Sequence, residues 1–243
     1  MAASGPWLDA GGPGCRQSQT MPHRPLVAIT TDLIDRNARE TAMGTMTYSD
    51  AVWAAGGMPV LVPPVIDSVT IAAGRFDAFV FTGGDDPRTE PFGQPTDPRI
   101  TPVFPRRQAF ETALLAHLRD EWPEKPLLGV CLGMQMLALT RGGRLNQFMP
   151  ETHPNHAEHW DHDHPVVSAD ESALASGVVH SRHKQAVDDA GPLRVLATAP
   201  DGTIEAVDDP MVPFCLGVQW HPERTGDGAL GLGLFERLVL AAR

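Results

Sequence analysis

Cysteine is scarce in this chain of 243 residues: only Cys15, Cys131 and Cys215 occur. Three scattered cysteines exclude a disulfide framework and a structural cysteine-zinc site, and they suit a reducing compartment, so the expected location is cytoplasmic. Basic charge is short as well, with 19 Lys+Arg against 30 Asp+Glu and a formal net charge of −11. A nucleic-acid binder needs a basic stripe to neutralise phosphates, and none is present. Apolar runs fall far short of the ~20 residues that span a bilayer. The first 23 residues lack a continuous apolar stretch and include Asp9, which argues against a secretory signal. Their Gly, Ser, Gln and Pro content points to a disordered N-terminal arm over 1–23, with Cys15 an exposed bystander. A start at Met21 would leave the fold intact.

The remainder is rich enough in apolar residues, at 42% overall, to bury a core. It is expected to form a single domain over 24–243. Buried strands are expected at PLVAIT (Pro25 to Thr30), MPVLVPP, FDAFVFTGG and PLLGV (Pro126 to Val130). Helices are expected over Thr45 to Ala55, Arg106 to Arg119, the GMQMLALTRGG segment, and Ala229 to Ala242. Such alternation predicts an α/β fold, a mostly parallel central sheet with helices on both faces. LRVLATA, TIEAV and PFCLGVQW read as later strands, some of them antiparallel, and Cys215 reads as core.

Three segments can carry chemistry. Gly129-Val130-Cys131-Leu132-Gly133 lies where a strand meets a helix, as in a G-x-S-x-G elbow. The helix N-terminus there favours a thiolate, the nucleophilic form of cysteine. In Gln219-Trp220-His221-Pro222-Glu223, a histidine able to move a proton near neutral pH is followed two positions later by a carboxylate. In extended backbone the two side chains point the same way, so Glu223 can fix the His221 tautomer. Thr82-Gly83-Gly84-Asp85 ends a strand in a turn whose N–H groups can face an anion. A packed cysteine, a surface His-Glu pair and a tight turn would explain each segment separately; their company favours a site.

Together with RPLVAIT, YSDAVWAAGGMPVLVPP, HSRHKQAV and APDGTIEAV, these motifs cover roughly nine-tenths of the chain. CLGMQ and GVQWHPE stand about ninety residues apart. The chain resembles the class I glutamine amidotransferase-like hydrolases, and within them the γ-glutamyl-γ-aminobutyrate hydrolase (peptidase C26) group. The resemblance implies a flavodoxin-like three-layer sandwich and hydrolysis of a small γ-glutamyl amide through a thioester. It implies Cys131 as nucleophile, His221 as base and Glu223 as orienting acid. Gly84 and Leu132 would supply oxyanion-hole N–H groups, and Gly83, Gln135, Ser181 and His183 would lie on the substrate side. No cofactor and no metal are implied. The chain departs from the family pattern at Asp85, where a third glycine is common, at Lys184, where a second His is usual, and at Leu132, where Arg is usual. These departures bear on substrate identity.

Two other functions remain open on the sequence: a glutaminase subunit delivering ammonia to a separate synthetase, and a non-enzymatic γ-glutamyl or metal sensor. Monomer and homodimer are both compatible with it. The stretch from Asn146 to Pro165 holds five histidines, His153, His156, His159, His162 and His164. Imidazoles three apart could share a metal on a helix, but Pro154, Pro165 and the missing apolar period argue against one. It is expected to be a long polar loop on the substrate side.

Overall fold

The computed structural model describes residues 23–243. The expected arm over 1–23, with Cys15 and Met21, lies outside the described residues except for His23. The strands are β1 (Leu26–Thr30), β2 (Asp32–Asp35), β3 (Glu40–Met43), β4 (Met58–Val62), β5 (Ala78–Phe81), β6 (Leu127–Val130), β7 (Arg144–Asn146), β8 (Trp160–Ser168), β9 (Gly177–Arg182), β10 (Ala186–Asp189), β11 (Arg194–Thr198), β12 (Ile204–Asp208) and β13 (Cys215–Val218). The helices are α1 (Met46–Ala54), α2 (Val69–Arg75), α3 (Pro105–Glu121), α4 (Leu132–Thr140), α5 (Met149–Thr152) and α6 (Leu232–Ala241).

The main sheet runs β4-β1-β5-β6-β13-β12-β11-β8-β9. Its first five strands are parallel, and from β13 to β9 the neighbours are antiparallel. Successive side chains of a strand face opposite ways, so a strand covered on both faces must be apolar throughout. In β5, Phe79 and Phe81 join α2, α3 and α4 in one core, whereas Ala78 and Val80 face α1 and α6 in the other. The result is a mixed sheet whose parallel strands lie between two helical layers, the arrangement that the strand-helix alternation predicts, extended by antiparallel strands on one side. Leu234, Phe235, Leu238 and Val239 of α6 are all buried, matching their helical spacing. Among the described residues, no helix is long and apolar enough to cross a membrane.

The histidine-rich segment is not the long loop expected. It holds α5, a short 3-10 turn at His156–His159 and most of β8, which pairs antiparallel with β9. The inward positions of β8 are His164 and Val166, so only one of the two is apolar. A strand whose buried face carries histidine shows no apolar alternation, which is why its pattern reads as loop.

The order β5-β6-β13 fixes the site. Parallel strands point their carboxyl ends to one edge, where the connecting loops form a crevice. With neighbours about 5 Å apart, the glycine turn after β5, Cys131 after β6 and His221 after β13 come together from residues far apart in sequence.

Candidate active site

Cys131 sits between β6 and α4, its N–H donating to Val218 O at 2.8 Å. Its backbone has φ 50° and ψ −103°, a conformation that a side chain adopts only when the surroundings impose it. One constraint is Gly133: a methyl group there would lie 2.2 Å from the Phe81 carbonyl oxygen. The start of α4 can therefore press against β5 only with glycine at that position. The first amides of a helix lack intrahelical acceptors and carry partial positive charge, and Leu132 is the first residue of α4. Cys131 is 5% exposed, with Sγ 3.9 Å from the Arg182 carbonyl oxygen. It opens onto a cavity of about 350 Å³ shared with Tyr48, Gly83, Gly84, Gln135 and His221.

His221 is placed by Trp220, which is fully buried and donates Nε1–H to Leu230 O at 3.0 Å. The His221 N–H is held by His180 O at 2.8 Å. Its Nδ1 is 2.8 Å from Glu223 Oε1, and the Glu223 side chain has no exposed surface. A carboxylate can only accept, so Nδ1 carries the hydrogen and Nε2 is left for chemistry. Burial works against charge on the ring, but hydrogen bonding to Cys131 and to Glu223 outweighs it and raises the His221 pKa to about 9. The imidazolium is therefore the prevailing form near neutral pH.

The glycine turn closes the third side. A methyl group on Gly83 would lie 2.9 Å from His221 Cε1, 3.2 Å from Tyr48 Oη and 3.6 Å from Cys131 Cβ, so the segments converge as closely as glycine allows. The Gly83 N–H is taken by Tyr48 Oη at 3.0 Å. Burial, reinforced by the Glu223 carboxylate, raises the Tyr48 pKa well above its usual value and keeps the phenol neutral. The Gly84 N–H has no acceptor among the described residues. Beneath the turn lies Arg107 of α3, wholly buried, whose Nη2 donates to Thr82 O, Thr82 Oγ1 and Gly83 O at 2.9, 3.0 and 3.1 Å. Its charge is balanced by Glu111 at 2.9 Å and Asp32 at 3.2 Å. Tyr48 and Arg107 escaped the sequence analysis. Arg107 follows another arginine at a helix start and resembles a solvated residue, although Tyr48 is the chain's single tyrosine.

Of the residues expected on the substrate side, Gly83 and Gln135 line the cavity. Gln135 Nε2 donates to Gln185 O and Gln219 Oε1, both at 3.2 Å. Ser181 is fully buried behind the wall, its hydroxyl 2.9 Å from His164 Nε2. His183 borders the same cavity, and its ring Nδ1 lies 2.8 Å from Gln185 O. Both signs of charge line the opening: Asp32, Asp85 and Asp86 together with Arg99, Arg182, Lys184 and Arg224. Burial, and then the neighbouring Asp32, raises the Asp85 pKa, and burial raises that of Asp86. Arg182 and Lys184 each stand over the Trp160 ring, 5.0 and 4.2 Å from its centroid.

A profile of the Peptidase C26 family matches residues 25–223. The chain belongs to the peptidase C26 family. Membership makes it an amide hydrolase of the glutamine amidotransferase type, in line with its relatives. A Mycobacterium tuberculosis protein with the provisional name glutamine amidotransferase is 37% identical over 237 residues, covering 90% of this chain and 75% of its own. The γ-glutamyl-γ-aminobutyrate hydrolase of Escherichia coli O157:H7 is 30% identical, over 81% of this chain and 85% of its own. In structure the chain is similar to a Thermoplasma acidophilum protein provisionally named as part of a GMP synthase. That match has a TM-score of 0.63 at 17% identity and covers 90% of this chain and 95% of the other. A Thermotoga maritima glutamine amidotransferase matches with a TM-score of 0.55 at 15% identity, over 83% and 77% of the two chains. These two likenesses speak to the fold: it is that of class I glutamine amidotransferases.

Proposed function

We propose that this chain hydrolyses γ-glutamyl amides through a thioester on Cys131, with His221 and Glu223 completing a catalytic triad. The observation that carries this is the meeting of a strained cysteine with a histidine whose Nδ1 is held 2.8 Å from a buried carboxylate. A γ-glutamyl group carries an ammonium and a carboxylate at one end, and a cavity lined by both charge signs suits such a zwitterion.

The Cys131 sulfur, its proton held by His221, attacks the amide carbonyl carbon. The oxygen becomes an oxyanion facing the N–H groups of Gly84 and Leu132. As the C–N bond breaks, His221 gives its proton to the departing amine nitrogen. Water then attacks the thioester, His221 takes the water proton, and the C–S bond breaks to release a free γ-carboxylate and regenerate Cys131. Glu223 keeps the ring in the useful tautomer throughout. The leaving amine would depart past Trp160, Arg182 and Lys184, where positive charge suits an amine that itself bears a carboxylate.

Time-resolved mass spectrometry with a panel of γ-glutamyl amides, glutamine included, tests this. Wild type should show an acyl adduct on Cys131 and release glutamate; Cys131→Ala should do neither while remaining folded. Turnover by a clean Cys131→Ala preparation would sink the proposal.

A further inference from the structure

Behind the cavity wall, four buried side chains from three parts of the chain turn toward one point. They are His159 from the 3-10 turn, His164 from β8, His183 just after β9, and Glu205 from β12; none is more than 4% exposed. One potential ligand atom from each lies within 4.8 Å of the others.

The outer nitrogen of each ring already has a partner. His159 Nε2 is 2.9 Å from Asp201 Oδ2, His164 Nδ1 is 3.0 Å from Pro165 O, and His183 Nδ1 is 2.8 Å from Gln185 O. Carboxylates and carbonyls only accept, so these three nitrogens carry the hydrogens. In its neutral form each ring then turns a lone pair inward. His159 Nδ1, His164 Nε2 and His183 Nε2 stand 3.2, 3.6 and 3.6 Å from Glu205 Oε1. The Ser181 hydroxyl can donate to His164 Nε2 at 2.9 Å. Among the described residues, His159 Nδ1, His183 Nε2 and both Glu205 oxygens have no hydrogen-bond partner. Lone pairs and a carboxylate buried face to face repel unless a cation or a proton stands between them.

We propose that this cluster is a binding site for a divalent transition metal of the zinc class, held by His159, His164, His183 and Glu205. Imidazole with one carboxylate is a zinc-type donor set. Ligands about 2.0 Å from a tetrahedral ion lie ~3.3 Å apart; the three nitrogens stand 3.2–3.6 Å from Glu205 Oε1 and the whole set lies within 4.8 Å, so a small contraction brings it onto an ion. Asp201 and the two carbonyls are the outer partners that orient metal-bound imidazoles. Four protein ligands fill a tetrahedron and leave no open position, so the ion is structural. It would brace the active site from behind. His183 follows Arg182, whose carbonyl faces Cys131 Sγ at 3.9 Å. The Glu205 carbonyl accepts the Gln219 N–H at 2.8 Å, two residues before His221. The site is independent of the thioester chemistry. Its rival is a proton shared between the histidines and Glu205.

The test uses the full chain, free of tags, as Cys131→Ala, so that no active-site thiolate competes for metal. After chelation and dialysis, Zn²⁺ is titrated by calorimetry and Co²⁺ by its visible d–d absorption. One equivalent should bind, with the band shape of four-coordinate Co²⁺. At a hundredfold excess over Kd, Zn²⁺ should raise Tm by roughly 5–10 °C. Glu205→Gln should lose binding, and Asp201→Asn, which removes an outer partner only, should weaken it 10–100-fold. The Asp201→Asn comparison holds even if Glu205→Gln does not fold. Failure of the Cys131→Ala chain to bind either ion would overturn the site in favour of the shared proton. Binding unchanged in both variants would place the metal elsewhere and equally overturn it.

Discussion

Arg107 offers the sharpest perturbation, because it joins the stability of the core to the shape of the glycine turn. In Arg107→Met, the apolar chain keeps much of the volume but removes the charge facing Glu111, whose side chain is 1% exposed. Removing one partner of a buried ion pair costs about 3–5 kcal/mol, because the other charge is left uncompensated. The carbonyls of Thr82 and Gly83 also lose a donor, and each unmet acceptor adds about 1 kcal/mol or more. Together these amount to about 5–7 kcal/mol, which for a chain of this size lowers Tm by roughly 10–28 °C. In Arg107→Met/Glu111→Leu the stranded charge is gone, and roughly 2–4 kcal/mol of that loss should return. Activity should not return with it. The turn that presents the Gly84 N–H is unanchored in both variants, so kcat should stay at least ~10-fold down in each. Urea unfolding monitored by circular dichroism, with kcat on the best γ-glutamyl amide, reads both quantities. Equal stability of the single and double variants would refute the reasoning, since Glu111 would not then depend on Arg107. Wild-type kcat in the double variant would refute the anchoring role.

Glu223→Gln removes the charge of one of the two contacts that raise the His221 pKa and sets an amide, whose NH₂ can also face Nδ1, where only an acceptor stood. kcat should fall by about 10²–10⁴ through the wrong tautomer. The sign of the pH effect is also fixed: wild-type His221 loses its proton near pH 9, so the alkaline limb of kcat/KM should lie there and move to lower pH in the variant, as a pH–rate profile reads directly. In Gly84→Ala the new methyl group would lie 2.3 Å from Arg107 Nη1, displacing the turn. A drop of about 10²–10³ in kcat should follow with KM little changed, because the lost contact belongs to the transition state. Steady-state kinetics on a γ-glutamyl amide separate the two parameters.

What could be read from the sequence follows from how far each signal reaches. The strands β1, β4, β5 and β6 announce themselves because nearly every position in them is apolar, and in β5 and β6 every residue is buried. The Cys131 elbow and the His221-Glu223 pair are legible because their geometry is local, made within five residues each. Arg107 is not legible. It stands beside Arg106, which is exposed and pairs with Glu40, and nothing within α3 says which arginine turns inward. That choice is made by Thr82 and Gly83 in the turn after β5. β8 fails for the same reason, since His164 finds Ser181 seventeen residues on and Glu205 forty-one residues on.

One signal for the buried polar cluster was nevertheless in view. Glu205 sits inside TIEAV, flanked by apolar residues in a strand with Ala206 and Val207 fully buried on either face. A carboxylate there has no route to water and must be paired, protonated or bound to a cation. The sequence then holds histidines as the natural partners, in the segment whose polarity concealed a strand. The two failures of sequence reading, an unrecognised β8 and an unexplained Glu205, are thus one event seen from both sides. Polar residues were buried against each other, so the apolar period vanished from the strand while the charge appeared in the core. Ser181 and His183 belong to the same event. They resemble substrate-side residues in linear pattern, and their side chains serve the cluster behind the wall that the substrate would touch.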